Sequence, residues 1–148
     1  MAVRLDGAAL AAKLKSRIRA EAAALVRPPM LAVVLAGEDP ASQIYVRGKE
    51  RDCAECGIRT RTHRLPAGVS QEDLLALVDS LNRDEDVDGV LVQLPLPEGL
   101  DPRPVLHALS PEKDVDCFHP LNTGLLALGE PRFLPCTPAG VLELLDAY

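Results

Sequence analysis

Tyr45 and Lys49 lie four residues apart in the segment Ala41-Ser42-Gln43-Ile44-Tyr45-Val46-Arg47-Gly48-Lys49, and Ser42 lies three residues before Tyr45. In a helix, side chains at i and i+4 stack on one face. That face would carry a hydroxyl, a phenol ring and an ammonium, a set suited to stacking a flat substrate and moving protons beside it. Aromatic residues are only 3% of the chain and Trp is absent, so a Tyr on a polar helix face is conspicuous. An amphipathic helix with a solvated Lys and a half-buried Tyr would show the same spacing. Spacing alone leaves both readings open.

Other chemistry-bearing residues are equally double-edged. Gln93 interrupts the apolar run Gly89-Val90-Leu91-Val92 just before Leu94-Pro95-Leu96-Pro97. It is either a functional amide at a strand end or an edge residue bonded to a neighbouring loop. Asp116, in Asp114-Val115-Asp116, could bind a ligand or cap the following turn. Thr137, before Pro138, is a plausible helix N-cap. Cys53 and Cys56 form a C-x-x-C just before Gly57. A redox pair normally opens a helix, where the dipole favours thiolate, and this pair sits at the closing end. A zinc site would need Cys117, Cys136 or His119 to converge on it. Buried helix cysteines are the simpler reading.

The elements that must position these groups follow from apolar periodicity. Leu10, Leu14, Ile18, Ala22 and Leu25 recur at near-helical spacing, and Pro28-Pro29 closes that helix. Met30–Ala36 is a continuous apolar run and reads as a strand buried on both faces. Gly37-Glu38-Asp39-Pro40 turns into the Tyr45/Lys49 helix, which extends to about Cys56. Ile58–Leu65 alternates as a half-exposed strand, and Ser70 caps a helix burying Leu74, Leu77, Val78 and Leu81. Asp88–Pro97 contains a second buried strand. A helix is expected at about 102–109, a turn at Ser110–Lys113, a loop through Asn122 and Gly124, and a last helix over 139–148 capped by Thr137. Alternating strands and helices imply right-handed βαβ units, hence an α/β domain with a mainly parallel sheet between helical layers. In such sheets ligands bind at the carboxyl ends of strands, where Gln93 and the residues after Ala36 fall.

The bulk properties narrow the class. A chain of 148 residues with 47% hydrophobic and 26% charged residues is one globular domain. A net charge of −6 argues against partners such as nucleic acid or an acidic membrane. No stretch approaches the ~20 apolar residues of a membrane span. The start Met1-Ala2-Val3-Arg4-Leu5-Asp6 lacks the apolar run of a secretory signal, so a cytoplasmic location is expected. Four cysteines are too few for a disulfide scaffold, and neither G-x-G-x-x-G nor G-x-x-x-x-G-K occurs.

Assembled in order, four segments resemble one enzyme family. They are Gly37-Glu38-Asp39-Pro40-Ala41-Ser42 continuing to Tyr45-Val46 and Lys49, then Val87–Pro97, Pro111–Leu125, and Pro135–Gly140. Together they span most of the chain and are similar to the signatures of bifunctional methylenetetrahydrofolate dehydrogenase/methenyltetrahydrofolate cyclohydrolases.

The resemblance implies an amino-acid-dehydrogenase-like N-terminal domain, with residues 1–148 as the folate-binding catalytic domain and about 139–148 as a linking helix. A Rossmann domain binding NADP would lie outside the chain, and the full-length protein would be a homodimer. A tetrahydrofolate derivative would be the substrate. Tyr45 would stack on the aromatic part between pterin and glutamate, and Lys49 would act at the carbon bridging N5 and N10. Gln93 would hydrogen-bond Lys49, and Asp116 would accept hydrogen bonds from the pterin. Pro95 would shape the pocket wall, Ser42 would support the lysine's surroundings, and Thr137 would lie where the family approaches the cofactor. The family usually has Gly where this chain has Cys117, which is expected to be a neutral filler if the position needs no positive φ. Competing readings are a folate-binding or interaction module without catalysis and a metal or thiol-redox protein built on Cys53 and Cys56.

Overall fold

A computed structural model describes residues 3–148; the reading of Met1 and Ala2 as part of a non-secretory terminus lies outside them. The elements run α1 (Gly7–Ala23), β1 (Met30–Ala36), α2 (Pro40–Glu55), β2 (Arg59–Leu65), α3 (Gln71–Arg83), β3 (Gly89–Val92), α4 (Pro102–Ala108), α5 (Pro120–Ala127) and α6 (Cys136–Asp146). The three strands form a parallel sheet in the order β2-β1-β3.

Strand alternation divides the core into two layers. Met30, Ala32 and Val34 of β1, with Val90 and Val92 of β3, meet Leu74, Val78 and Leu81 of α3 and Val105 of α4. The intervening residues Val33, Leu35 and Leu91 face Val46 of α2 on the other side. β1 is buried on both faces because helices cover both faces, which is why its sequence is continuously apolar. Emptying one such position, as in Leu74→Ala, typically costs ~2–5 kcal/mol.

Caps fix where the helices begin. Asp39 accepts the Ser42 N–H at 2.7 Å at the start of α2, with Pro40 in its first turn. Ser70 accepts the Asp73 N–H at 3.0 Å and starts α3. α1 ends at Ala23, before Leu25 and the prolines, and Ala22 alone of its residues is buried. It is tied to α2 by Lys15, which bonds Asp52 and Glu55 at 2.8 Å each.

Four expectations are corrected. β3 ends at Val92, so Gln93 lies just past the strand, although its N–H still bonds the Val34 carbonyl at 2.9 Å. The expected loop through Asn122 and Gly124 is helix α5. Its first turn is organised by Pro120 and by His119 Nδ1, which accepts the Leu121 N–H at 3.1 Å. α6 starts at Cys136 rather than 139, and Thr137 is inside its first turn instead of capping it. Pro135 occupies the cap position and makes no side-chain cap bond; Pro138 is tolerated because first-turn N–H groups need no intrahelical acceptor. Cys117 is not a neutral filler, because its φ is 61°, in the left-handed region that disfavours a β-carbon.

Candidate active site

The cap at Asp39 sets the rotation of α2. Ser42 and Val46, four apart, turn inward with 2% and 0% exposure, while Tyr45 stays 64% exposed and Lys49 half-buried. The expected common face is therefore split. Ser42 belongs to the buried base of the helix, where its N–H and hydroxyl hold the Asp39 carboxyl below the usual carboxylate range. Tyr45 and Lys49 remain one turn apart on the more open side.

Lys49 Nζ donates to Gln93 Oε1 at 3.0 Å, across 44 residues of sequence. The amide's other end is also engaged: Gln93 Nε2 donates to the Leu94 carbonyl at 2.6 Å. That second bond fixes which end of the amide faces the lysine, so Gln93 presents an acceptor to Nζ. The Leu94–Pro95 peptide is cis.

Lys49 lines a cleft of about 880 Å³ that also reaches Asp116 and Thr137. Its walls are largely apolar, with Leu31, Leu91, Val115 and Phe118, and also carry the charged Lys15, Asp52 and Asp88; Tyr45 and Gln93 do not line it. A site with a few convergent polar groups on an apolar surface suits a mostly flat organic ligand. Asp116 is half-buried, and its carboxylate neighbours the Cys136 thiol. Pro95 does not line this cleft; it borders a smaller hollow of about 230 Å³ with Ala36, Gly37 and Pro97. Thr137 lies on the cleft wall.

The thiols are poorly suited to redox work. Burial, then the neighbouring Cys56 and Asp52, push the Cys53 thiol up. Burial, then Asp116, do the same to Cys136. Both shifts oppose thiolate formation. Among the described residues no group of three His, Cys, Asp or Glu side chains is arranged to hold a metal ion.

Residues 5–116 match the family described as tetrahydrofolate dehydrogenase/cyclohydrolase, catalytic domain. The chain belongs to this family. It is 57% identical over 148 residues to the bifunctional protein FolD of Nitratidesulfovibrio vulgaris (strain Miyazaki F), covering 97% of this chain and 51% of that protein. The FolD of Acidiphilium cryptum is also 57% identical, over 143 residues, with the same coverage. The chain thus spans about half the length of these relatives. Among solved structures, the Campylobacter jejuni bifunctional FolD methylenetetrahydrofolate dehydrogenase/cyclohydrolase superposes with a TM-score of 0.94 at 47% identity, covering 97% of this chain and 52% of that one. The Trypanosoma brucei dehydrogenase-cyclohydrolase, complexed with NADP cofactor and inhibitor, gives 0.94 at 40% identity, covering 99% and 52%.

Two polar residues next to Asp116 are architectural. Lys113, beside the acidic pair, donates to the carbonyls of Leu81 and Asp84 at 3.0 and 2.7 Å and closes the end of α3. Asp114 is 1% exposed and accepts hydrogen bonds from Phe118 N–H, His119 N–H and Asn122 Nδ2 at 3.1, 2.8 and 2.9 Å. Sequence reasoning passed over Asp114 and Asn122. No local spacing rule joins an acid to an amide eight residues further on.

Proposed function

We propose that this chain is the folate-binding catalytic half of an NADP-dependent 5,10-methylenetetrahydrofolate dehydrogenase/5,10-methenyltetrahydrofolate cyclohydrolase of one-carbon metabolism. The observation that carries this reading is the Lys49–Gln93 hydrogen bond, with Lys49 on the wall of a largely apolar cleft that Asp116 also lines. On this reading Tyr45 stacks on the aromatic part of the folate, and Asp116 accepts the pterin's N–H groups. In the cyclohydrolase step, water oxygen bonds to the carbon bridging N5 and N10, and the water proton passes to the Lys49 amine. The remaining hydroxyl proton leaves as the formyl C=O forms, and the carbon–N5 bond breaks with its electron pair going to N5. N5 takes up that proton, and 10-formyltetrahydrofolate results. Gln93 holds Nζ by accepting one of its N–H bonds, leaving the remaining positions for water and substrate.

The residues present do not fit the pyrophosphate of a dinucleotide. The β1–α2 turn carries Glu38 and Asp39, and the Asp39 carboxylate already occupies the Ser42 N–H where an anion would bind. NADP binding is assigned to a Rossmann domain in the further length that the relatives have, with α6 as the connecting helix and Thr137 facing it. A cytoplasmic, homodimeric full-length enzyme is part of the same proposal. Among the described residues no helix is long and apolar enough to cross a membrane.

The test is hydrolysis of 5,10-methenyltetrahydrofolate, followed by loss of its absorbance, in the wild-type chain and in Lys49→Ala. General acid–base assistance predicts a loss of roughly 10²–10⁴-fold in the variant. Equal rates would remove Lys49 from the chemistry. A wild-type chain that binds a folate analogue but turns nothing over would favour a binding module. The same preparation is expected to form no NADPH from 5,10-methylenetetrahydrofolate.

A further inference from the structure

The two aspartates of Asp114-Val115-Asp116 have opposite surroundings, and the difference suggests a division of labour. Asp114 is anchored on three sides. Its backbone bridges to Val90 in parallel, Val90 N–H bonds the preceding Lys113 carbonyl at 2.7 Å, and its carboxylate receives three N–H bonds from Phe118, His119 and Asn122. The Asp114 carbonyl also accepts the Cys117 N–H at 3.3 Å, and Thr123 Oγ1 donates to the Cys117 carbonyl at 3.1 Å. This cage encloses the one described non-glycine residue with positive φ, Cys117 at 61°. Asp116 sits between the anchor and the strained residue, with its side chain at the cleft.

We propose that Asp114 is a positioning residue: its buried carboxylate clamps the 114–119 turn against α5, holds Cys117 in the left-handed region, and thereby fixes where Asp116 meets the ligand. The ligand's identity as a pterin rests on the folate reading above; the clamp itself does not. Without three donors converging on it, a buried carboxylate would not be stable in this position, and without the carboxylate three donors lose their acceptor. A non-glycine residue in the left-handed region persists only where its surroundings over-determine it. Replacing Asp114 by Asn keeps the shape but turns one acceptor atom into a donor, so one N–H must face an NH₂. The turn then relaxes toward a conformation that Cys117 prefers, and Asp116 moves with it. Glycine at 117 accepts the same φ without strain, so Cys117→Gly should restore the turn in the Asp114→Asn background.

The experiment combines calorimetric titration of folic acid with amide hydrogen exchange in wild type, Asp114→Asn, Asn122→Ala, Asp116→Ala and Asp114→Asn/Cys117→Gly. Asp114→Asn should weaken folic acid binding by about tenfold and speed exchange at Phe118 and His119, with the sheet unchanged. Asn122→Ala, which removes one of the three donors and covers the case in which Asp114→Asn fails to fold, should do the same to a smaller degree, about threefold. The double variant should recover most of both losses. Asp116→Ala should abolish binding while leaving exchange at Phe118 and His119 as in wild type. Local exchange unchanged in both Asp114→Asn and Asn122→Ala, or losses that glycine at 117 does not repair, would overturn the clamp. If wild type binds no folic acid, the folate reading fails, and the exchange arm still decides the clamp.

Discussion

Replacing Gly89 by alanine tests whether the sheet itself fixes the Asp116 loop. A β-carbon on Gly89 would lie 2.5 Å from Val115 Cγ1, with Leu31 Cδ1 at 3.6 Å and the Lys113 carbonyl at 3.9 Å. Carbon atoms pack best at about 3.5–4.0 Å, so the new methyl is roughly 1 Å too close to Val115. Neither side yields easily. Gly89 begins β3 and pairs with Leu31 in register, while Val115 is a β-branched side chain next to the bridged Asp114. Overpacking of this kind costs roughly 1–3 kcal/mol. The backbone gain from Gly→Ala, about 0.4–1 kcal/mol at an unstrained φ, offsets part of it. The net loss should be about 1–2 kcal/mol, which for a domain of this size lowers Tm by about 2–8 °C.

Thermal unfolding followed by circular dichroism gives that figure, and folic acid titration shows whether the displacement reaches Asp116. The cycle with Val115→Ala isolates the clash. Alanine at 115 has no Cγ1, so the double variant should recover most of what Gly89→Ala loses, a coupling of about 1 kcal/mol or more. A Gly89→Ala protein that melts at or above the wild-type temperature and binds folic acid unchanged would refute the reasoning. Val115 would then be free to move, and the close approach would not position the loop.

Gln93→Leu removes the acceptor for Lys49 Nζ while keeping a similar volume; kcat for methenyltetrahydrofolate hydrolysis should fall by up to ~10²-fold with a smaller change in KM. An unchanged kcat would show that Lys49 needs no such partner. The Asp88 carboxyl is held low by Arg27 and Asp86 by Arg59; Asp84 is held low first by the Asp86 N–H and then by Arg61. Depressed folded-state values mean that these groups add stability above the ordinary Asp value, and the contribution is lost as pH falls through the lower folded values. Urea midpoints should therefore drop as pH falls below about 4, and Arg27→Gln should show a smaller drop than wild type. Because Cys53 and Cys136 are pushed up, iodoacetamide should label them slowly at pH 7 and faster as pH rises past the ordinary thiol range. Rapid labelling of Cys53 at pH 7 would revive the thiol-redox reading.

The boundary between what the sequence showed and what it hid follows a physical line. Periodicity reports which face of an element is apolar, so β1, α2 and α3 were legible, as was the Tyr45/Lys49 spacing on α2. The Lys49–Gln93 contact came from family resemblance; no local rule joins residues 44 apart. Local rules failed where several of them compete within a few residues. Thr137 is a good cap by type, but Pro135 and Pro138 both suit a helix start and moved it upstream. α5 is eight residues long and contains Asn122 and Gly124, so propensity argues against it. It forms because His119 and Pro120 organise its first turn and Asp114 receives the N–H groups that precede it. Asp114 and Asp116 are the same residue type two positions apart, which in a continuing strand would put them on one face. The chain turns immediately after the Val90 bridge, and that turn sends one carboxylate into the core and leaves the other at the cleft. No pattern in the residues themselves announces a break in the alternation there. The available clue was Cys117, at a position where the family resemblance implies glycine: there the backbone takes a path that a β-carbon resists. In this chain that path is held open by the acid three residues before it.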